Sequence, residues 1–238
     1  MKKILMNMLF LGVCCLFLAC QENDRLMFDE PASIYFYESQ WGGDFPVVSR
    51  TDSTEFSFFG RGDNFTEAKA ELIMLVTGYV SDKDRAINLV PDAESTLIEG
   101  EDYYFPAPKV LPAGATEVRL PVMFKRTEKL INDYYWVRFH IEDSDDLKKG
   151  YADRTSFKFR ITNKPVKPTY YLSVVFGEYS DEKLLYIYSV VGYINWETVS
   201  TSELKEYSIR VRKAYEQYKK DNGPLYDSVG KEITFPGY

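Results

Sequence analysis

The residue types that most often do chemistry are sparse in this chain. It contains one histidine, His140, and any Ser-His-Asp triad would have to include it. His140 stands between Phe139 and Ile141, which belong to the inward-facing set of an alternating segment, so we predict that it points away from the core. No G-x-S-x-G motif accompanies it, and one histidine cannot build a zinc site that needs several. These observations predict a protein without enzymatic activity.

Carboxylates are abundant, with 36 Asp and Glu against 29 Lys and Arg and a net charge of −7. A glycosidase needs two carboxylates at a fixed separation across a cleft, and a sequence does not supply that separation. Two acidic runs, residues 81–85 and 143–146, contain the oxygen ligands that calcium prefers, but neither has the spaced pattern of a calcium loop. We interpret both runs as solvated turns and predict no metal and no cofactor.

Several residues are candidates for binding a ligand. Trp41, Tyr103, Tyr104 and Trp136 combine an aromatic ring with a polar group and are suited to stacking on sugars, with core or sheet-surface packing as the alternative. The tripeptide Arg61–Asp63 matches the integrin-type Arg-Gly-Asp motif in a glycine-rich turn, a match that also arises often by chance. The acidic net charge argues against a nucleic-acid partner.

The cysteines lie in an apolar N-terminal segment. Lys2 and Lys3 precede an apolar run that is shorter than the roughly 18–20 residues of a membrane span. The run ends in Phe-Leu-Ala-Cys at Cys20, which resembles a bacterial lipobox. The resemblance implies that residues 1–19 are a signal peptide and that Cys20 carries the lipid. An ordinary secretory signal and a short uncleaved anchor are the alternatives.

A lipidated Cys20 fixes the expected location. Two or more acyl chains anchor a protein stably, and the processed chain would keep no second cysteine for a disulfide. Residues 20–30 would form a tether, and its acidic run, Gln21–Asp24, resembles the export signal of surface lipoproteins in Bacteroidetes-type bacteria. We expect a protein of the outer membrane that faces the cell surface. A location on the periplasmic face, with a plain solvated tether, is the alternative.

The chain after the tether alternates with a period of two, as strands do. The clearest case places Val118, Leu120, Val122 and Phe124 on one face. Residues 31–164 are therefore predicted to form an antiparallel β-sandwich. The passage Gly-Glu-Asp-Tyr-Tyr-Phe followed by Leu-Pro-Ala-Gly resembles Calx-β and related immunoglobulin-like modules, which implies a fold and carries no function by itself.

The pattern changes near residues 163–169, where Pro165 and Pro168 cannot continue a central strand. We predict a smaller C-terminal α+β domain over residues 165–238, with two strands and one amphipathic helix packed on them. Ser200 and Glu203 form a possible capping box for that helix, and Asn-Gly-Pro ends it.

The whole chain resembles a family of uncharacterised Bacteroidetes cell-envelope lipoproteins, a domain of unknown function. The lipobox, the immunoglobulin-like passage, the Gly-Glu-Tyr-Ser-Asp-Glu-Lys stretch and the closing Ile-Thr-Phe-Pro-Gly-Tyr carry this resemblance. It implies a non-enzymatic surface lipoprotein that binds a ligand or partner, accessory to an outer-membrane uptake system for nutrients such as glycans. A structural or adhesive subunit associated with fimbriae is the alternative, followed by a carboxylate-dependent hydrolase.

Overall fold

A computed structural model of the chain describes residues 31–40, 42–49 and 52–237. The predicted signal peptide, Cys20 with its tether, and Trp41 lie outside the described residues. The strands, in chain order, are β1 Ser33–Phe36, β2 Ser39–Gln40, β3 Val48–Ser49, β4 Ser53–Ser57, β5 Glu67–Thr77, β6 Arg85–Ala86, β7 Asn88–Pro91, β8 Tyr103–Tyr104, β9 Val110–Leu111, β10 Glu117–Lys125, β11 Tyr135–Glu142, β12 Lys148–Lys149 and β13 Ser156–Thr162. The helices are α1 Ser173–Phe176, α2 Asp181–Val191 and α3 Thr201–Asn222, with 3-10 turns at Glu128–Ile131 and Ala152–Arg154.

Two sheets face each other as a β-sandwich, which confirms the predicted fold class. One has five strands in the order β12-β1-β5-β10-β8, and the other has four in the order β4-β13-β11-β7. Most neighbours are antiparallel, as predicted, but β1 with β12 and β13 with β4 run parallel. Both parallel pairs lie at a sheet edge and join strands that are distant in the chain, because a tight hairpin can join only antiparallel neighbours.

The sandwich core lies between the two sheets. In β10, Val118, Leu120, Val122 and Phe124 are buried while the residues between them are more exposed, so the predicted alternation is confirmed. β5 is apolar on both faces over residues 72–76 and occupies the middle of its sheet, as the composition of that segment predicts. Aromatic rings connect the two sheets. Phe124 of the larger sheet contacts Phe159 of the smaller one at a centroid distance of 5.0 Å.

The two strands predicted after residue 168 are wrong, because this part of the chain forms α1 and α2. The local physics of α2 explains the difference. The Ser180 hydroxyl accepts a hydrogen bond from the Lys183 N–H at 3.1 Å, and acidic residues occupy the first turn, where the helix dipole stabilises them. Leu184 and Ile187 are buried at helical spacing. A short run of aromatic and β-branched residues resembles a strand in sequence. The helical spacing of the buried residues distinguishes this segment as a helix.

The predicted helix α3 is confirmed together with both ends. Ser200 and Glu203 form the capping box, and Gly223 ends the helix with a φ of 82°. Leu204, Val211 and Tyr215 of the predicted apolar stripe are buried. The stripe packs on the helices α1 and α2 instead of on strands, forming a second apolar core. None of the described helices is long and apolar enough to cross a membrane.

Candidate functional site

A cleft of about 610 Å³ lies between the sandwich and the helical part, which belong to one compact unit from Ala32 onward. The edge strand β4 forms one wall, together with Arg160 of the neighbouring strand β13. Residues 166–170, before α1, and residues 193–198, between α2 and α3, form the opposite side. A volume of this size falls in the range of small-molecule sites.

Arg61 is the central cation of the cleft. Its guanidinium lies 4.5 Å from the ring centroid of Phe56, 5.0 Å from that of Phe65 and 4.6 Å from that of Tyr193. The Asp44 carboxylate lies 4.0 Å away, and only 17% of the Arg61 side chain is exposed. The Arg61 Nε has no hydrogen-bond partner among the described residues. Aromatic faces stabilise a partly desolvated cation, so Arg61 is held in place among the three rings, with its Nε buried.

Aromatic residues of α2 and of the loop after it hold the helical part against the sandwich. The Trp196 Nε1 donates to the Tyr188 hydroxyl at 2.9 Å, and the Tyr188 ring stacks on Phe59 at 5.9 Å. Burial raises the pKa of Tyr188 to about 12, and the Trp196 hydrogen bond partly offsets this. Gly60, at a φ of 76°, leaves room for this ring, since a Cβ there would lie 2.2 Å from Tyr188 Cδ2.

Three carboxylates and three cations line the cleft, so it carries no net charge: Asp44, Glu55, Glu197, Arg61, Arg160 and Lys167. Glu55 and Arg160 are cross-strand neighbours and form an ion pair at 2.9 Å. Burial raises the pKa of Glu197, although the Val47 N–H and the charge of Arg61 both favour its ionised form. The arrangement offers fixed donors and acceptors beside aromatic faces, which suits recognition of a polar, uncharged ligand.

Three of the aromatic residues predicted to bind a ligand, Tyr103, Tyr104 and Trp136, are described by the structure, and they are not brought together. Tyr103 is 1% exposed, and its ring packs edge-on against Phe139 at 5.4 Å inside the core, which agrees with the packing alternative. Tyr104 faces outward from the larger sheet and donates to Glu67 at 3.1 Å. Trp136 lies on the outer face of the smaller sheet, with the Lys158 ammonium 4.0 Å from its ring centroid. Stacking on a ligand stays a prediction for Tyr104 and for Trp136, which lie on different sheets.

The residues that line the cleft were not predicted from the sequence as parts of one binding site. Arg61 attracted attention only as part of an Arg-Gly-Asp tripeptide, and its enclosure by three rings leaves little of it for an integrin-type contact. Tyr193, Trp196 and Glu197 carry no local motif. The glycine at position 60 in a run of aromatic residues was the one available signal for a close approach of another segment.

Other candidate groups lie outside the cleft. His140 is half-buried on the outer side of β11, as predicted, and its Nε2 lies 3.2 Å from an Asp92 carboxylate oxygen. A backbone hydrogen bond from Glu94 and the contact with His140 lower the pKa of Asp92. In the part of the chain that the structure describes, no group of three His, Cys, Asp or Glu side chains could hold a metal ion.

Comparison with known proteins places the chain in a family. Residues 28–193 match the model of the family described as "Domain of unknown function (DUF4843)", which covers more than half of the chain. The chain therefore belongs to the DUF4843 family, whose match includes the whole sandwich and α1 and α2. No curated protein matches the sequence.

Several solved structures from Bacteroides species resemble part of the chain. A two-domain protein of unknown function from Bacteroides fragilis NCTC 9343 is 17% identical, with a TM-score of 0.37 over 56% of this chain and 45% of that one. A protein from Bacteroides ovatus ATCC 8483 described as a "putative carbohydrate binding protein" is 12% identical, with a TM-score of 0.36 over 57% and 38%. A protein of unknown function from Bacteroides ovatus is 19% identical, with a TM-score of 0.34 over 58% and 47%. The chain spans less than half of each of these proteins, and the likenesses leave its function open.

Proposed function

We propose that this protein is a non-enzymatic binding protein that holds a ligand or partner in the cleft between β4 and the helical part. The observation that carries the proposal is the arrangement of the cleft. Arg61 and Tyr193 are held in position by their neighbours, and they lie in a cavity of about 610 Å³ with balanced charges. Rigid groups bind with a smaller loss of conformational entropy than mobile ones, so a site of this kind is suited to recognition.

The cleft predicts a loss of binding when Tyr193 is replaced by alanine. The ring supports Arg61 and is about one-third exposed, so its removal takes away a contact surface and loosens the cation. We expect retention of the bound glycan or surface protein to fall at least tenfold, about 1.4 kcal/mol, in a glycan array and in pull-downs from the cell surface.

Tyr226→Ala, which removes an exposed tyrosine outside the cleft lining, is the matched control and should bind as the unmodified protein does. Blank arrays and blank pull-downs with the unmodified protein would refute the proposal. If Tyr193→Ala and Tyr226→Ala bound the ligand equally well, the ligand site would lie outside this cleft.

We further propose that the protein is anchored in the outer membrane through lipid on Cys20, faces the cell surface, and assists a nutrient uptake system, with glycans as the expected nutrient. The support for this location is the N-terminal sequence described above. The fimbria-associated subunit and the carboxylate-dependent hydrolase stay as alternative predictions. For the hydrolase, Asp44 and Glu55 each lie beside an arginine, which holds their carboxylates in ion pairs.

Replacing Cys20 by alanine tests the anchor. The variant cannot accept the lipid, so it should leave the membrane fraction, because the apolar run before Cys20 is shorter than a membrane span. Protease added to intact cells should degrade the unmodified protein. Retention of Cys20→Ala in the membrane would contradict the anchor, and protection from protease until the outer membrane is opened would indicate the periplasmic face.

A further inference from the structure

The edge strand β4 differs from the other sheet edges. The ends of the two sheets are formed by β12, β8, β7 and β4, and of these β12 and β8 have two residues each. β7 has four residues and ends in Pro91, which cannot donate to a further strand. β4 has five residues, Ser-Thr-Glu-Phe-Ser, and contains no proline and no lysine. Proteins usually shorten, charge or cover such an edge, because it is a template for pairing with another chain.

The backbone groups of β4 point alternately toward β13 and away from it. Lys158 N–H donates to the Asp52 carbonyl, and Phe58 N–H donates to the Thr162 carbonyl. Backbone groups alternate in direction along a strand, so the even-numbered residues between these two bonds face β13. The N–H and C=O groups of Glu55 and Ser57 then face away from β13, toward the cleft.

The outward backbone groups of Glu55 and Ser57 are unbonded in the part of the chain that the structure describes. All five residues of β4 line the cleft, so the open edge faces a cavity instead of bulk solvent alone. At the end of β4 the Ser57 hydroxyl donates to the Lys164 carbonyl at 2.6 Å, which fixes the strand to the segment after β13.

We propose that the occupant of the cleft is an extended polypeptide segment that pairs with β4 as an added strand. This inference rests on the proposed function, since it names the class of ligand for the same cleft. The open N–H and C=O groups of Glu55 and Ser57 recur at the two-residue spacing of a polypeptide main chain, and strand addition satisfies both kinds of group. Because the charges that line the cleft cancel, a segment without net charge is suited to it.

The side chains of β4 and its neighbours specify the pattern of that segment. Successive side chains of an added strand fall alternately on the two faces of the sheet. On the outer face they meet the Glu55–Arg160 ion pair, whose side chains are partly exposed. Elsewhere the cleft lining contains the rings of Phe59 and Tyr193. We therefore expect a segment of about five residues, the length of β4, in which polar and apolar side chains alternate.

Glu55→Pro separates pairing through the backbone from contacts of the side chain. Proline removes the outward N–H of residue 55 and leaves the β4–β13 hydrogen bonds in place, because that N–H takes no part in them. Glu55→Ala is the matched control, since it removes the carboxylate and keeps the N–H. A phage-displayed library of random heptapeptides, selected on the immobilised purified protein, serves as the probe.

We expect the library to contain peptides with alternating side chains that bind the unmodified protein. Glu55→Pro should weaken their binding at least about tenfold more than Glu55→Ala does, because both variants remove the carboxylate and only the proline removes a backbone hydrogen bond. In the unmodified protein, hydrogen exchange of the Glu55 and Ser57 amides should slow when such a peptide is added, a readout that does not depend on how well the variant folds.

Peptides that bind Glu55→Pro and the unmodified protein equally, or that leave both amides unprotected, would overturn the inference. So would a library that contains no binding peptide. These results can be distinguished from failure of the proposed binding function. If a glycan binds and Tyr193→Ala abolishes its binding while Glu55→Pro does not, the binding function stands and the polypeptide class is wrong. If neither glycans nor peptides nor surface proteins bind, both proposals fail.

Discussion

Replacing Phe124 by alanine is expected to lower the free energy of unfolding by about 3–5 kcal/mol, the range for removing a large aromatic side chain from a packed core. Phe124 is completely buried, and its ring centroid lies 5.0 Å from that of Phe159 and 5.3 Å from that of Phe45. It also contacts Tyr103 at 6.0 Å. Its removal leaves a cavity among rings that come from both sheets, and such rings cannot all collapse into it.

Urea unfolding of the purified protein measures this effect. Tyr79→Ala is the control, because it removes a ring of similar size from a side chain that is 54% exposed, and it should change stability by less than about 0.5 kcal/mol. A loss below about 1 kcal/mol for Phe124→Ala would show that the two sheets do not close around this ring. A loss in the expected range supports the packing of the sandwich on which the position of β4 depends.

The second large effect is expected at Asp102, in the loop that precedes β8. Its carboxylate is 3% exposed, accepts the Ile98 N–H at 2.7 Å and pairs with the Lys129 ammonium at 2.5 Å. The Thr127 hydroxyl donates to it at 3.3 Å. Asp102→Ala leaves the partly buried Ile98 N–H without its partner and the Lys129 cation without its counter-ion. We expect a loss of about 2–3 kcal/mol, below the full cost of breaking a buried pair because Lys129 keeps contact with water.

Glu142→Ala is the matched control for Asp102→Ala. It also removes the acid of an acid–lysine pair, but both Glu142 and Lys149 are nearly half exposed. A pair of this kind contributes less than about 1 kcal/mol. If the two variants lost the same stability in urea, the interpretation of Asp102 as the residue that fixes the loop onto the turn at Lys129 would be wrong.

Much of the sandwich was predictable because strand faces follow from a repeat of two residues. The alternation in β10 and the apolar run over residues 72–76 of β5 each depend on immediate neighbours in the chain, and the structure confirms both. The ends of α3 were predictable for the same reason. A capping box and a terminal glycine act within one turn of a helix, so four residues of sequence contain the whole signal.

The sequence did not predict the structure correctly where contacts with residues distant in the chain decide the conformation. The segment that forms α2 is rich in tyrosine and β-branched residues, and local composition alone favours a strand. Burial of Leu184 and Ile187 against α1 and α3 favours the helix instead. Tyr103 is an example in which the environment of a single side chain depends on distant residues. Its sequence motif cannot distinguish a ring that stacks on a ligand from one that packs on Phe139.

The sequence by itself determined the alternating faces of the strands, the caps of α3 and the features from which we propose a lipid anchor. Only the tertiary structure decided where a ligand could bind. The cleft exists because β4, the segment before α1 and the loop after α2 meet in space, and Arg61 becomes its central cation only when Phe56, Phe65 and Tyr193 surround it. Periodicity and caps are properties of neighbouring residues, whereas a binding site depends on contacts between residues that are far apart in the chain.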